Sequence, residues 1–176
     1  MAIPGRVRDL YGQVAATRES RPTRDAALLA ARVALAWIFI YNGGGKLFGL
    51  FGGGGVQKSS VFFGTVAHLH PAVFFTVLNG ITEFFGGIAV GLGIFGRIAA
   101  AGLLGDMVVA MATVTFGNGI APTNASGGDY QINVALAALA LAVALLGTGR
   151  LSLDEAIRPL LIRHSGSKAG PTRRPG

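Results

Sequence analysis

The sequence predicts an all-α protein, a four-helix transmembrane bundle with both termini in the cytoplasm. Three observations carry that expectation. The 176 residues are 51% hydrophobic and only 13% charged, against roughly a quarter charged in soluble domains. Four nearly charge-free apolar runs follow one another, each close to the ~20 residues that cross about 30 Å of hydrocarbon. Most Lys and Arg residues lie outside those runs, at the two ends of the chain. A soluble helical core built from the same runs would be left with little polar surface.

Residues 1–25 are polar and basic and read as a cytoplasmic tail before a signal anchor. A cleaved signal peptide has a shorter basic region and a shorter apolar stretch. Span one covers about residues 27–47, apolar except for Arg32, and ends in Asn42-Gly43-Gly44-Gly45-Lys46. The following loop carries glycines at 52–55, which hold a helix only at a cost. A short interfacial helix is expected over 61–69, with Phe62 and Phe63 on the membrane and His68 and His70 near its end. Pro71 suits the start of span two, where a missing amide costs nothing. Span two covers 72–94 and holds Glu83; span three covers 98–117 and holds Asp106. A tight hairpin, Gly93-Ile94-Phe95-Gly96-Arg97, joins them. After a turn-rich 118–129 loop, span four covers 131–147 without a charge. Ser152, followed three residues later by Glu155, has the pattern of a capped surface helix. The membrane domain is thus expected over 26–155, with basic tails at 1–25 and 156–176; the end of the second reads as disordered.

Orientation follows from the basic residues. Arg6, Arg8, Arg18, Arg21 and Arg24 precede span one, and Arg97 lies in the hairpin. Arg150, Arg158, Arg163, Lys168, Arg173 and Arg174 follow span four. The opposite loops hold Lys46 and Lys58. Twelve against two places both termini inside.

Composition also excludes functions. The chain has no cysteine, so disulfides, thiolate nucleophiles and cysteine-held clusters or zinc are absent. The net charge of +7 sits in the tails without interleaved aromatics or a phosphate-loop pattern, which argues against nucleic acid and for an anionic membrane surface. His68-Leu69-His70 puts two imidazoles on one face only if extended, with Asp129 as a conceivable third ligand; no metal site is expected. Nothing places Ser, His and Asp as a hydrolytic triad, and no cofactor-binding signature is present. Asn124-Ala125-Ser126 matches a glycosylation sequon in form.

The candidate functional residues are the intramembrane charges Arg32, Glu83 and Asp106. Such groups are expensive in hydrocarbon and face a bundle interior or a wet cavity. At 1.5 Å per residue, Arg32 lies about 8 Å and Asp106 about 12 Å from the cytoplasmic end, and Glu83 near the midplane. An arginine can reach several ångströms, so the three are expected to form one polar cluster. Three readings stay open: an Arg–carboxylate clamp between helices, a shared proton on paired acids that binds a quinone headgroup or relays protons, or a snorkelling Arg32 with separate acids. Asn42 and Asn79 suit interhelical hydrogen bonds. Lys46, roughly 21 Å beyond Arg32, is expected at the outer interface, snorkelling or contacting an anion. Gly87 and Gly91 are spaced for close helix approach.

Several of these pieces together resemble the DoxX family of small four-helix membrane proteins. They are Asn42-Gly43-Gly44-Gly45-Lys46-Leu47-Phe48-Gly49, Glu83-Phe84-Phe85-Gly86-Gly87 through Gly93, Gly96-Arg97-Ile98-Ala99-Ala100, and Gly147-Thr148-Gly149-Arg150-Leu151-Ser152-Leu153-Asp154. The resemblance implies a multi-pass protein of the bacterial inner membrane, with relatives linked to thiosulfate:quinone oxidoreductase subunits and to complexes that handle oxidative or thiol stress. It marks Lys46, Glu83 and Arg97 as matching polar positions. Asn42 stands where the family often has histidine and cannot replace one in proton chemistry at neutral pH. The expected function is an accessory or anchoring subunit of a membrane redox or oxidative-stress system, linked to the quinone pool. The alternatives are a quinone-reducing enzyme subunit and a small-solute transporter. Membrane lipid, a redox protein and further copies of the chain are the expected partners.

Overall fold

The computed structural model describes residues 21–115 and 130–156, and every regular element among them is helical. Helix α1 is Arg21–Phe48, followed by a 3-10 turn at Leu50–Gly52 and helix α2 at Gly55–Thr65. Helix α3 is Ala72–Leu92 and α4 is Gly96–Ala110, prolonged by a π turn at Met111–Thr115. Helix α5 is Tyr130–Leu146. The outer tails, the sequon at Asn124, the candidate ligand Asp129 and the expected disordered end lie outside the described residues.

Three stretches are long and apolar enough to cross a membrane: Pro22–Phe48, Ala72–Leu92 and Gly96–Val114. Tyr130–Leu146 is a shorter apolar helix beside them. Helix α1 starts earlier than the apolar run because Pro22 falls in its first turn, where the missing N–H is not needed. It also continues through Gly43, Gly44 and Gly45. In lipid a backbone has no other partner than its own helix, so the glycine cost seen in water is outweighed.

Those glycines set the packing. A Cβ at Gly43 would collide with the backbone of α3 at Phe84 and Gly80. At Gly91 a Cβ would meet Ala36 at 2.9 Å, and at Gly87 the Ile40 backbone nitrogen at 3.1 Å. The Gly87/Gly91 spacing therefore serves the α1–α3 contact. Helix α3 also packs on α4, and α4 on α5, while α1 and α5 touch more sparsely. Leu35, Phe39, Val90, Leu103, Ala140 and Val143 fill the centre, all fully buried or nearly so. The outer surface is apolar: Trp37 is 77% exposed and Ile98 73%. A water-soluble monomer does not carry such a surface; a lipid-facing bundle does.

The α3–α4 hairpin is as tight as expected. Gly93 takes a left-handed conformation at φ 72, and its N–H and that of Ile94 return to the Ala89 carbonyl at 2.8 and 2.9 Å. This closes the helix in the manner of a Schellman cap. The interfacial helix differs from expectation. It runs over Gly55–Thr65, because the left-handed Gly52 and Gly55 (φ 83 and 64) complete the turn before it and His68 (φ 54) lies beyond its end. Phe62 is partly exposed, but Phe63 is buried against the bundle. Ser152 Oγ accepts the Glu155 N–H at 3.4 Å, as the capping pattern implied.

Candidate functional site

The close approach of α1 and α3 decides the site. Leu47 packs on Gly80, whose added Cβ would lie 2.7 Å from Leu47 Cγ, so α1 ends against the first half of α3 rather than level with its start. Lys46, two residues from the end of α1, therefore reaches the middle of α3. Its Nζ donates to Asn79 Oδ1 at 2.7 Å and to Glu83 Oε2 at 2.7 Å. Asn79 and Glu83 are four residues apart and share a helix face. From the same group, Asn79 Nδ2 donates to Asp106 Oδ1 on α4. The Phe63 ring of α2 covers the ammonium, 5.9 Å from Nζ to its centroid. The Glu83 side chain is 5% exposed and Lys46 28%.

One ammonium thus faces two carboxyl groups. Asp106 Oδ2 is buried and meets no N–H or hydroxyl donor among the described residues, and the Glu83 and Asp106 carboxyl groups lie within hydrogen-bonding reach of each other. A cavity of about 80 Å³ adjoins the cluster, bounded by Lys46, Phe63, Glu83 and Asp106. Liquid water takes about 30 Å³ per molecule, so the space suits two or three waters or a small polar head. Asp106, Asn79 and Phe63 also border a groove of about 320 Å³ on the outer face between α3 and α4. Lys46 in turn borders a more polar vestibule of about 290 Å³, with Tyr41, Asn42, Ser59 and the glycines at 52–54. The polar cluster stands between the two. A larger hollow, about 710 Å³ along Val33 and Trp37, is an almost wholly apolar outer surface with little to fix a polar ligand.

The structure brings Glu83 and Asp106 together, but Arg32 does not join them. Arg32 lies 14 residues before Lys46, about 21 Å along the helix axis. It is 1% exposed and donates four hydrogen bonds to carbonyl oxygens instead: Val90 at 2.8 Å, Gly91 at 2.7 Å, Thr148 at 2.8 Å and Leu151 at 2.7 Å. It ties the end of α3 to the segment after α5. That segment is further held by Asp154, which accepts the Phe95 N–H at 3.1 Å. The cation of the cluster is Lys46, expected at the interface and found at mid-helix depth.

The remaining candidates are peripheral. Asn42 Nδ2 donates to Ile38 O at 2.9 Å within its own helix, not between helices, and borders the vestibule. Arg97 Nη2 reaches Leu145 O, in the last turn of α5, at 3.4 Å. Among the described residues no three His, Asp or Glu side chains gather as a metal site. Asn79 is the member that the site candidates omitted. Its signal was present, a polar residue four positions before a buried Glu on one face.

Apolar helices around a buried charge cluster define a multi-pass α-helical membrane protein. Within that class the assignment is specific: residues 27–116 match the DoxX family model, a little over half of the 176 residues, and the chain belongs to the DoxX family. No curated protein and no solved structure matches it.

Proposed function

We propose that this DoxX protein is an accessory or anchoring subunit of a membrane redox or oxidative-stress system in the bacterial inner membrane, that it works beside the quinone pool, and that both termini are cytoplasmic. The observation that carries the proposal is the Lys46–Asn79–Glu83–Asp106 cluster, placed at mid-helix depth and bordering a groove on the lipid side. Ionisable groups at that depth are retained where something polar is bound or moved. Lys46 offers a charge-assisted donor, Asn79 orients it, and the two carboxyl groups provide acceptors for a headgroup that arrives through lipid. The orientation rests on the excess of Arg and Lys in the terminal segments, which favours the cytoplasmic side.

The test is affinity purification of the full chain from native membranes in mild detergent, with mass spectrometry of proteins and lipids and an absorption spectrum of the same sample. A stoichiometric flavin-, haem- or thiol-carrying partner, with quinone in the lipid extract, is the expected result. A colourless homo-oligomer without partner or quinone contradicts the proposal.

A further inference from the structure

We propose that the groove between α3 and α4 is a binding site for a membrane-dissolved aromatic molecule whose polar head donates a hydrogen bond, a phenol or hydroquinone, with Asp106 Oδ2 as the acceptor. In naming the hydroquinone it deepens the quinone reading and rests on it; the donor-selective site itself does not.

Donors and acceptors in the cluster do not balance. Lys46 donates to Asn79 and Glu83, and Asn79 Nδ2 serves the other oxygen of Asp106. Asp106 Oδ2 is left buried without an N–H or hydroxyl donor among the described residues; a proton on the Glu83 carboxyl, which lies within hydrogen-bonding reach of Asp106, is the internal alternative. An unmet buried acceptor is costly, and beyond the small cavity of about 80 Å³ the hydrocarbon offers no donor to meet it. The groove supplies the route. Its walls are Phe75, Leu78 and Val109, and Asn79 and Asp106 form its polar end. Leu78 and Val109 are each about half exposed on the outer face. Gly102 keeps the groove open: a Cβ there would meet nothing nearer than Thr82 Cγ2 at 3.8 Å.

An apolar slot with polarity at one end fits a molecule with an apolar body and a small polar head. The unmet polar atom is an acceptor, so the head must donate. A quinone presents only carbonyl acceptors toward Asp106, whereas the corresponding hydroquinone presents O–H. An anionic lipid head would meet the Asp106 carboxyl group at the polar end of the groove, which Lys46 does not line. An acyl chain would fill the walls and leave Oδ2 unmet.

The absence of cysteine makes the test direct. Thr82→Cys places one thiol on the groove wall of the full-length protein, and its modification by N-ethylmaleimide is timed in mild detergent. The probes are 4-heptylphenol and 4-heptylanisole, alike in body and different in the donor. The phenol is expected to protect the thiol at a concentration at least tenfold lower than the anisole. In an Asp106→Asn background that preference should fall below about threefold. Gly102→Leu, which fills the groove, should abolish protection by both while the helical circular dichroism is retained. Equal protection by the two probes, or none by either, overturns the proposal. In parallel, a decyl-substituted hydroquinone and its quinone are compared by thermal shift of the cysteine-free protein, with a larger shift expected for the hydroquinone. A phenol preference with no shift by either quinone form sustains the donor-selective site and removes the quinone reading. A larger shift by the quinone sustains the quinone reading and overturns the donor assignment.

Discussion

Arg32→Met removes the guanidinium and keeps most of the apolar stem. Four carbonyl oxygens lose a donor. The Val90 oxygen keeps a partner, because the Gly93 N–H also reaches it at 3.2 Å. For the other three, about 1–3 kcal/mol per unmet buried acceptor gives roughly 3–9 kcal/mol. The variant no longer buries a cation, which returns several kcal/mol, and the three oxygens at the segment after α5 and the end of α3 are only part-buried. The expected net loss is about 2–4 kcal/mol. Arg32→Lys keeps the charge but not the fork that spans two segments and should lose about half as much. The assay is reversible unfolding in mixed micelles by circular dichroism. A second arm separates this role from a carboxylate clamp. If Arg32 neutralised Glu83, adding Glu83→Gln would rescue Arg32→Met; bound to carbonyls, the two changes should add within about 0.5 kcal/mol. An Arg32→Met protein as stable as the parent, or one rescued by Glu83→Gln, rules out the carbonyl-anchoring role of Arg32.

Three further outcomes follow from the packing. Gly43→Val should separate α1 from α3, since its Cβ meets backbone at Phe84 and Gly80 that cannot rotate away; overpacking of this kind costs about 1–3 kcal/mol or more, read in the same unfolding assay. Gly105→Ala, with no atom near its added Cβ, should be neutral or stabilising by up to about 1 kcal/mol, and a loss there would show that the outer face of α4 is covered. Trp37, the single tryptophan and 77% exposed, should be quenched in liposomes by brominated lipid and not by aqueous iodide. The reverse pattern would remove α1 from the bilayer.

The helices were legible because hydropathy and length suffice for a membrane span, and the hairpin because Gly93 and Gly96 bracket a short turn. The charge cluster was legible by half. Glu83 and Asp106 announce themselves as charges inside apolar runs. Their partner does not, because Lys46 looks interfacial until the register of α1 against α3 is known. That register is set by Gly43 and Gly80, a tertiary contact with no counterpart in helix counting. Arg32 misled for a related reason: a buried arginine suggests an intramembrane acid, yet carbonyls take its hydrogen bonds and the acid whose charge acts on it is Asp154, beyond α5. The short helix was misplaced because Gly55 and His68, both left-handed, mark its two ends only once backbone angles are known. Phe63 then turns inward because the ammonium lies beneath it.

Lys46 is the cation that holds the buried cluster together. A double-mutant cycle on Lys46→Met and Glu83→Gln, measured as unfolding free energy in mixed micelles, tests it most directly. Lys46→Met alone strands two buried carboxyl groups and should cost about 3–5 kcal/mol. The two changes together should cost about 2–3 kcal/mol less than their sum, near the top of the range for residues in direct contact. Additivity within about 0.5 kcal/mol would contradict the pairing, and with it the site.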